Sequence, residues 1–188
     1  MLKNIGRDIY IKEDVMKEVI INDNSLTMDD IEKEVIRVKA FIINSKGKIL
    51  IAHNNNTYQF PGGHTEGNET LEDCLVREIR EEIGIDVEHL EEPFFRVVTF
   101  DNDYFGTGKK VLNSIYYYRI ITDQEPDLSK THYDELELAT DFNLYYVNFK
   151  NLDAFLNKEI ALGNIDPKIG KEMLLAFEEY KNKYGGIL

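Results

Sequence analysis

The sequence contains little of what marks a secreted or membrane protein. Cys74 is the single cysteine among 188 residues. No internal disulfide can therefore form, and the fold does not depend on an oxidising compartment. No apolar run approaches the roughly 18–20 residues that a membrane span needs, and residues 1–8 lack the apolar core of a signal peptide. We expect a soluble, cytoplasmic protein with no membrane partner.

Positive charge is also scarce. The chain has 22 Lys and Arg against 35 Asp and Glu, which gives a net charge of −13 at pH 7. A surface field of this sign repels nucleic acid and anionic membrane, so bulk nucleic acid is not an expected partner. The 43% hydrophobic content is that of a globular protein. Because no repeat or low-complexity linker interrupts the chain, we expect one domain.

The predicted elements run in the order strands, one central helix, more strands and terminal helices. The helix is expected at about 70–83, and this order predicts a mixed α/β sandwich rather than a regular βαβ series. We divide the single domain into an N-terminal extension (1–34), a core (35–160) and a C-terminal helix (161–188). The extension is predicted to contain two short strands that could form a hairpin. It would cover a sheet edge or form a homodimer contact, and the sequence leaves both open.

The central helix carries a concentrated group of carboxylates. Glu78, Glu81 and Glu82 are spaced i, i+3 and i+4, so they share one face of the helix. Thr70 is a candidate N-cap and Gly84 a candidate left-handed stop. Hard cations such as Mg²⁺ prefer oxygen ligands and would compensate the crowded charge. A solvated acidic face is the alternative, and the three carboxylates alone do not decide between the two interpretations.

The surrounding segment, 63–85, resembles the Nudix box, GX5EX7REUXEEXGU, in which U is a bulky aliphatic residue. All nine specified positions are matched, and a chance match at this composition is on the order of 10⁻⁸. The matched residues are Gly63, Glu69, Arg77, Glu78, Ile79, Glu81, Glu82, Gly84 and Ile85. The resemblance implies an α/β (α+β) fold, a Nudix-type α/β/α sandwich with a mixed sheet and the box helix at its centre.

The resemblance also implies an activity and a set of roles. Nudix hydrolases cleave a nucleoside diphosphate linked to another moiety X, giving a nucleoside monophosphate and phospho-X. Glu78 and Glu82 would be the main ligands of Mg²⁺, or of Mn²⁺ as the alternative cation, with Glu81 and the Gly63 carbonyl as further ligands. Arg77 would orient the carboxylates, and Glu69 would support the loop and the helix. The expected partner is a small nucleotide-like diphosphate substrate.

Residues outside the carboxylate cluster are weaker candidates. Arg37, Tyr58 and His64 are candidates for substrate binding, although core packing for Tyr58 and solvation for His64 explain them without a ligand. The general base is either a glutamate of the box or a carboxylate outside it, and Glu135 and Glu137 are the outside candidates.

Three alternative functions are compatible with a Nudix-like fold: a non-catalytic ligand sensor, an isomerase of isoprenoid diphosphates and an RNA 5′-end pyrophosphohydrolase. Sensors usually lose box glutamates that this chain retains, and the isomerases depart from the box. The net charge of −13 disfavours RNA, although a short 5′ end needs few contacts.

Overall fold

The structure, a computed structural model, describes residues 2–4, 10–12, 16–54, 56–132 and 142–185. These residues contain nine strands and three α-helices, besides short 3₁₀ turns and loops. The strands are β1 (Leu2–Asn4), β2 (Tyr10–Lys12), β3 (Lys17–Ile21), β4 (Lys33–Ile43), β5 (Lys48–Asn54), β6 (Thr57–Gln59), β7 (Phe95–Asp101), β8 (Val111–Ile121) and β9 (Asn143–Asn148). The helices are α1 (Leu71–Ile83), α2 (Leu152–Ala161) and α3 (Pro167–Tyr184). The predicted central and C-terminal helices are thus confirmed.

Seven of these strands form one mixed sheet. Its order is β3-β7-β8-β4-β5-β6, and β9 also pairs with β5. The β4–β8 and β3–β7 pairs are parallel, whereas β7–β8, β4–β5, β5–β6 and β5–β9 are antiparallel. The mixed sheet expected from the sequence is confirmed.

Helices cover both faces of this sheet. Because side chains alternate across a strand, consecutive residues of β4 enter different cores. Val38 and Ala40 pack with Leu75 of α1, while Phe41 packs on the opposite face with Phe177 of α3. This arrangement confirms the predicted α/β/α layering, and it puts α1 and α3 on opposite faces of the same strand.

The hairpin expected within the N-terminal extension is wrong. β2 pairs with β1, whereas β3 pairs in parallel with β7 at the edge of the main sheet. The physical reason is burial, since Val19 and Ile21 of β3 pack against the core on the α3 side. The extension therefore covers an edge of the main sheet by adding β3 to it. The homodimer contact stays a prediction. Among the described residues, no helix has the length and apolar character needed to cross a membrane.

Candidate active site

Helix α1 is fixed at both ends and along one face. The Thr70 hydroxyl accepts a hydrogen bond from the Asp73 backbone N–H at 3.1 Å, and Gly84 ends the helix with φ +67°. Leu75 and Ile79 are fully buried against the sheet. The cap and the apolar face therefore hold the neighbouring carboxylate face in one orientation.

Arg77 connects the helix to the preceding loop. Its Nε and Nη2 donate to the two carboxylate oxygens of Glu69 at 3.1 and 2.8 Å. Its Nη1 donates to Glu78 at 2.9 Å and to Glu81 at 3.1 Å, and its Nη2 also donates to the His64 carbonyl at 3.0 Å. Arg77 lowers the pKa of Glu69 to about 2. The bidentate bond thus joins loop and helix through one guanidinium.

Gly62 connects Glu82 to a lysine that our sequence analysis missed. Glu82 is only 5% exposed, and its Oε2 accepts from the Gly62 N–H at 2.8 Å. The Gly62 carbonyl in turn accepts from Nζ of Lys39 at 2.5 Å. Burial lowers the pKa of the Lys39 ammonium, while the charges of Glu82 and Glu78 act in the opposite direction. The signal in the sequence is a lysine on the face of β4 that also carries Phe41.

The two glycines of the loop allow the backbone to approach closely. A Cβ at Gly63 would lie 2.3 Å from Oε1 of Glu78, and a Cβ at Gly62, where φ is +123°, would lie 2.3 Å from the Val38 carbonyl oxygen. No larger residue fits either position without displacing its neighbour. Burial raises the pKa of Glu78, and Arg77 opposes that effect. The backbone thus lies directly against the Glu78 carboxylate.

The donors in this cluster suit a hard divalent cation. All of them are oxygens, and the four carboxylates of Glu69, Glu78, Glu81 and Glu82 exceed the charges of Arg77 and Lys39 by two. The described residues hold no group of three or more His, Cys, Asp or Glu that is already arranged around a metal position. A cation that used Glu81 would therefore have to compete with its bond to Arg77.

The structure places two of the weaker candidates beside the cluster. Arg37 and His64 form an isolated antiparallel bridge, and Nη2 of Arg37 donates to the Tyr104 hydroxyl at 2.6 Å. Desolvation, together with the charges of Arg37 and Lys39, lowers the pKa of His64 to about 4. A neutral imidazole and a guanidinium therefore lie next to Gly63 at neutral pH.

Tyr58 is not brought to the cluster. Tyr58 lies on β6 among other rings, with centroids 4.5 Å from His53, 5.5 Å from Tyr145 and 5.2 Å from Phe155. Its position is that of a packing residue between the sheet edge and α2. Glu135 and Glu137 lie outside the residues that the structure describes.

A cavity adjoins the cluster on the α3 side. It has a volume of about 250 Å³ and is lined by Arg37, Asn113 of β8 and Glu172 of α3, among others. Our sequence analysis missed Asn113 and Glu172. The sequence around each residue gave no sign of a role, because Asn113 and Glu172 become neighbours of one cavity only when the fold brings β8 and α3 together.

Sequence comparison with known proteins identifies a family. A sequence model of the NUDIX domain matches residues 33–157. The chain is 31% identical over 106 residues to the uncharacterized Nudix hydrolase all7351 of Nostoc sp., an alignment that covers 52% of this chain and 59% of that protein. It is 30% identical over 106 residues to the NAD-capped RNA hydrolase NudC of Vibrio atlanticus, and this alignment covers 54% of this chain and 35% of the relative. The chain thus spans 59% or less of the length of these relatives.

Solved structures show the same fold. The crystal structure of the MutT protein from Methanosarcina mazei Go1 superimposes with a TM-score of 0.53 at 22% identity. That match covers 82% of this chain and 98% of the other.

Proposed function

Because the chain belongs to the Nudix family, we propose that it is a metal-dependent pyrophosphohydrolase. It would cleave a nucleoside diphosphate linked to another moiety X and give a nucleoside monophosphate and phospho-X. The observation that carries this proposal is the set of bonds made by Arg77. The guanidinium binds Glu69 in a bidentate manner and holds Glu78 through Nη1, next to Gly63, while Glu82 accepts from the Gly62 N–H.

Glu78 and Glu82 would hold Mg²⁺ or Mn²⁺, with Glu81 and the Gly63 carbonyl as further ligands. That carbonyl accepts from the Val38 N–H at 3.0 Å and has a second lone pair for a cation. When bound, a divalent cation supplies charge neutralisation at the pyrophosphate and activation of water. It also explains how a protein of net charge −13 binds an anionic substrate.

The protein's own residues have distinct tasks in this proposal. Arg77 keeps the carboxylates oriented, and Lys39 binds the carbonyl of Gly62, the residue whose N–H binds Glu82. Arg37, which is bridged to His64 beside the cluster, would donate to a phosphate oxygen. The general base would be a box glutamate or one of Glu135 and Glu137.

The test is product release from a panel of substrates with Mg²⁺, with Mn²⁺ and without metal. The panel holds nucleoside triphosphates, nucleotide sugars, ADP-ribose, NAD, dinucleoside polyphosphates and triphosphorylated RNA. We expect metal-dependent release of a nucleoside monophosphate from at least one small substrate. The Glu82→Gln variant should lose more than the roughly 10- to 100-fold that an outer-shell change costs, because it alters a metal ligand.

Glu88→Gln is the matched control, since Glu88 is an exposed glutamate just beyond α1. It should retain wild-type turnover. Turnover by Glu82→Gln at the wild-type rate would show that the ligand assignment is wrong. A folded protein that binds Mn²⁺ but releases nothing from the panel would favour a sensor, and turnover of the RNA alone would favour the 5′-end activity.

A further inference from the structure

The 250 Å³ cavity between the sheet and α3 lies next to the start of the box. Arg37 lines it, and the backbone of Arg37 is bridged to His64, the residue that follows Gly63. Pockets for drug-sized ligands usually enclose about 300–1,000 Å³. A cavity slightly below that range has room for one planar ring system, and a substrate that filled it could extend its phosphates to the carboxylate cluster.

Several charged groups on the cavity wall already have partners within the protein. Nζ of Lys168 lies 2.5 Å from Oδ1 of Asp101, and Asp103 accepts from the Gly108 N–H at 2.7 Å. Asp166 caps α3 by accepting from the Lys168 N–H at 2.8 Å. These groups are committed to the fold, so recognition of a ligand falls to the polar groups without such bonds.

Asn113 is one such group. It is only 6% exposed, it sits in an apolar stretch of β8, and its Oδ1 is buried without a hydrogen-bond partner among the described residues. An unsatisfied buried polar atom costs about 1–3 kcal/mol. Rotation by 180° about the last side-chain torsion exchanges the C=O and the NH₂ of the amide. Asn113 can therefore offer either an acceptor or a donor to a ligand in the cavity.

Glu172 is the second group. Its carboxylate makes no hydrogen bond or ion pair with any residue that the structure describes, although Arg37 lines the same cavity. Burial raises the pKa of Glu172 to about 7, against the opposing charges of Arg37 and Lys39. N–H donors from a ligand would favour the ionised carboxylate and would satisfy both of its oxygens.

The geometry points to a base-selecting pocket: we propose that this cavity holds the nucleobase of the substrate and that Glu172 and Asn113 select guanine. Guanine places N1–H and N2–H₂ next to the O6 acceptor on one edge. The Glu172 carboxylate matches the two donors, and the Asn113 NH₂ matches O6. Adenine reverses the pattern, and hypoxanthine lacks the N2 amino group. Ile169 and the Tyr104 ring add apolar surface for a planar base. The inference rests on the proposed function for its phosphate end, and its own test needs no turnover.

The experiment is titration calorimetry of the full chain with GMP, IMP and AMP in the presence of a chelator. GMP and IMP differ only by the N2 amino group. We expect GMP to bind at least about 10-fold more tightly than IMP or AMP, because one lost hydrogen bond to a buried charged partner is worth about that factor.

Two variants locate the effect. Glu172→Gln and Asn113→Leu should each reduce the preference for GMP to less than about 3-fold, mainly by weakening GMP. Glu178→Gln, an exposed glutamate on the same helix, is the control and should keep the full preference. Circular dichroism confirms that each variant is folded.

The outcomes separate this inference from the proposed function. Equal affinities for GMP and IMP in the wild type, or a preference that persists in both variants, would overturn the base-selecting role. Turnover of the substrate panel without any base preference would refute the pocket and leave the hydrolase proposal standing. Guanine-selective binding without turnover on the panel would do the reverse.

Discussion

The ionised Glu172 carboxylate should lower the free energy of unfolding of the protein, and replacing Glu172 with a neutral residue tests this expectation. The carboxylate is half-buried on α3 and has no hydrogen bond among the described residues. Burial raises its pKa from 4.5 to about 7; Asp101 and Asp166 add to the effect, and Arg37 and Lys39 oppose it. Glu172→Gln keeps the size of the side chain and removes the charge. The variant should therefore be more stable than the wild type at pH 8.

The sign follows from proton binding. Between about pH 4.5 and 7 the folded protein retains a proton on Glu172 that the unfolded chain has released, so stability falls as the pH rises through this window. At 1.36 kcal/mol for each pH unit, a pKa of about 7 in place of 4.5 sets an upper bound of about 3 kcal/mol. Solvent screening at a half-buried side chain reduces this to roughly 1–2 kcal/mol.

Urea unfolding at pH 4.5, 6 and 8 measures the difference between wild type and variant. We expect the two midpoints to coincide at pH 4.5 and Glu172→Gln to be more stable by roughly 1–2 kcal/mol at pH 8. Glu178→Gln should show no such dependence on pH. A wild type that matched or exceeded the variant at pH 8 would mean that the ionised Glu172 has a stabilising partner, and the argument for an uncommitted carboxylate would fail.

Two further substitutions test the site and its supporting helix. The Arg77→Lys variant cannot make the bidentate bond to Glu69, so its turnover should fall at least about 10-fold and its melting temperature should drop. The control, Arg80→Lys on the exposed side of α1, should change neither quantity. Equal activity of the two variants would refute the orienting role of Arg77. Gly84→Ala should cost more stability than Gly185→Ala in urea unfolding, by about 1 kcal/mol or more. Both glycines end helices at φ near +70°. A Cβ at Gly84 would meet the Asp127 carbonyl oxygen at 2.0 Å, whereas a Cβ at Gly185 would meet no atom of the described residues within 4 Å. Equal costs would show that the contact at Gly84 relaxes.

The parts of the fold that depend on neighbouring residues could be predicted from the sequence. Thr70 and Gly84 marked the ends of α1. At the start of α3, the Asp166 cap and the following Pro167 are a signal of the same local kind. The alternation of β4 is likewise a local pattern. Each signal comes from groups a few residues apart, whose effect on the backbone does not depend on the rest of the chain.

Pairings between distant segments could not be predicted in this way. The sequence allowed β3 a place in a local hairpin, but it lies in parallel beside β7, some 78 residues further along the chain. The residues that line the cavity also come from segments that are distant in the sequence. Arg37, Asn113 and Glu172 come from three elements that are brought together only by the β4–β8 pairing and by the packing of α3. No repeating pattern within a single sequence indicates that residues from such distant elements are neighbours in the fold.

Lys39 links the two faces of the sheet near the carboxylate cluster, although α1 and α3 lie on opposite sides of it. Its side chain projects from the face of β4 that α3 covers, yet it binds the Gly62 carbonyl, and the N–H of that same glycine binds Glu82 of α1. The loop is held to β4 by bonds from the Val38 N–H to the Gly63 carbonyl and from the Ala40 N–H to the Pro61 carbonyl. The two backbone groups of one glycine residue therefore bind a carboxylate from one face and a cation from the other. A change in the position of Lys39 would therefore reach Glu82 through Gly62, so the two faces of the sheet are coupled at this glycine.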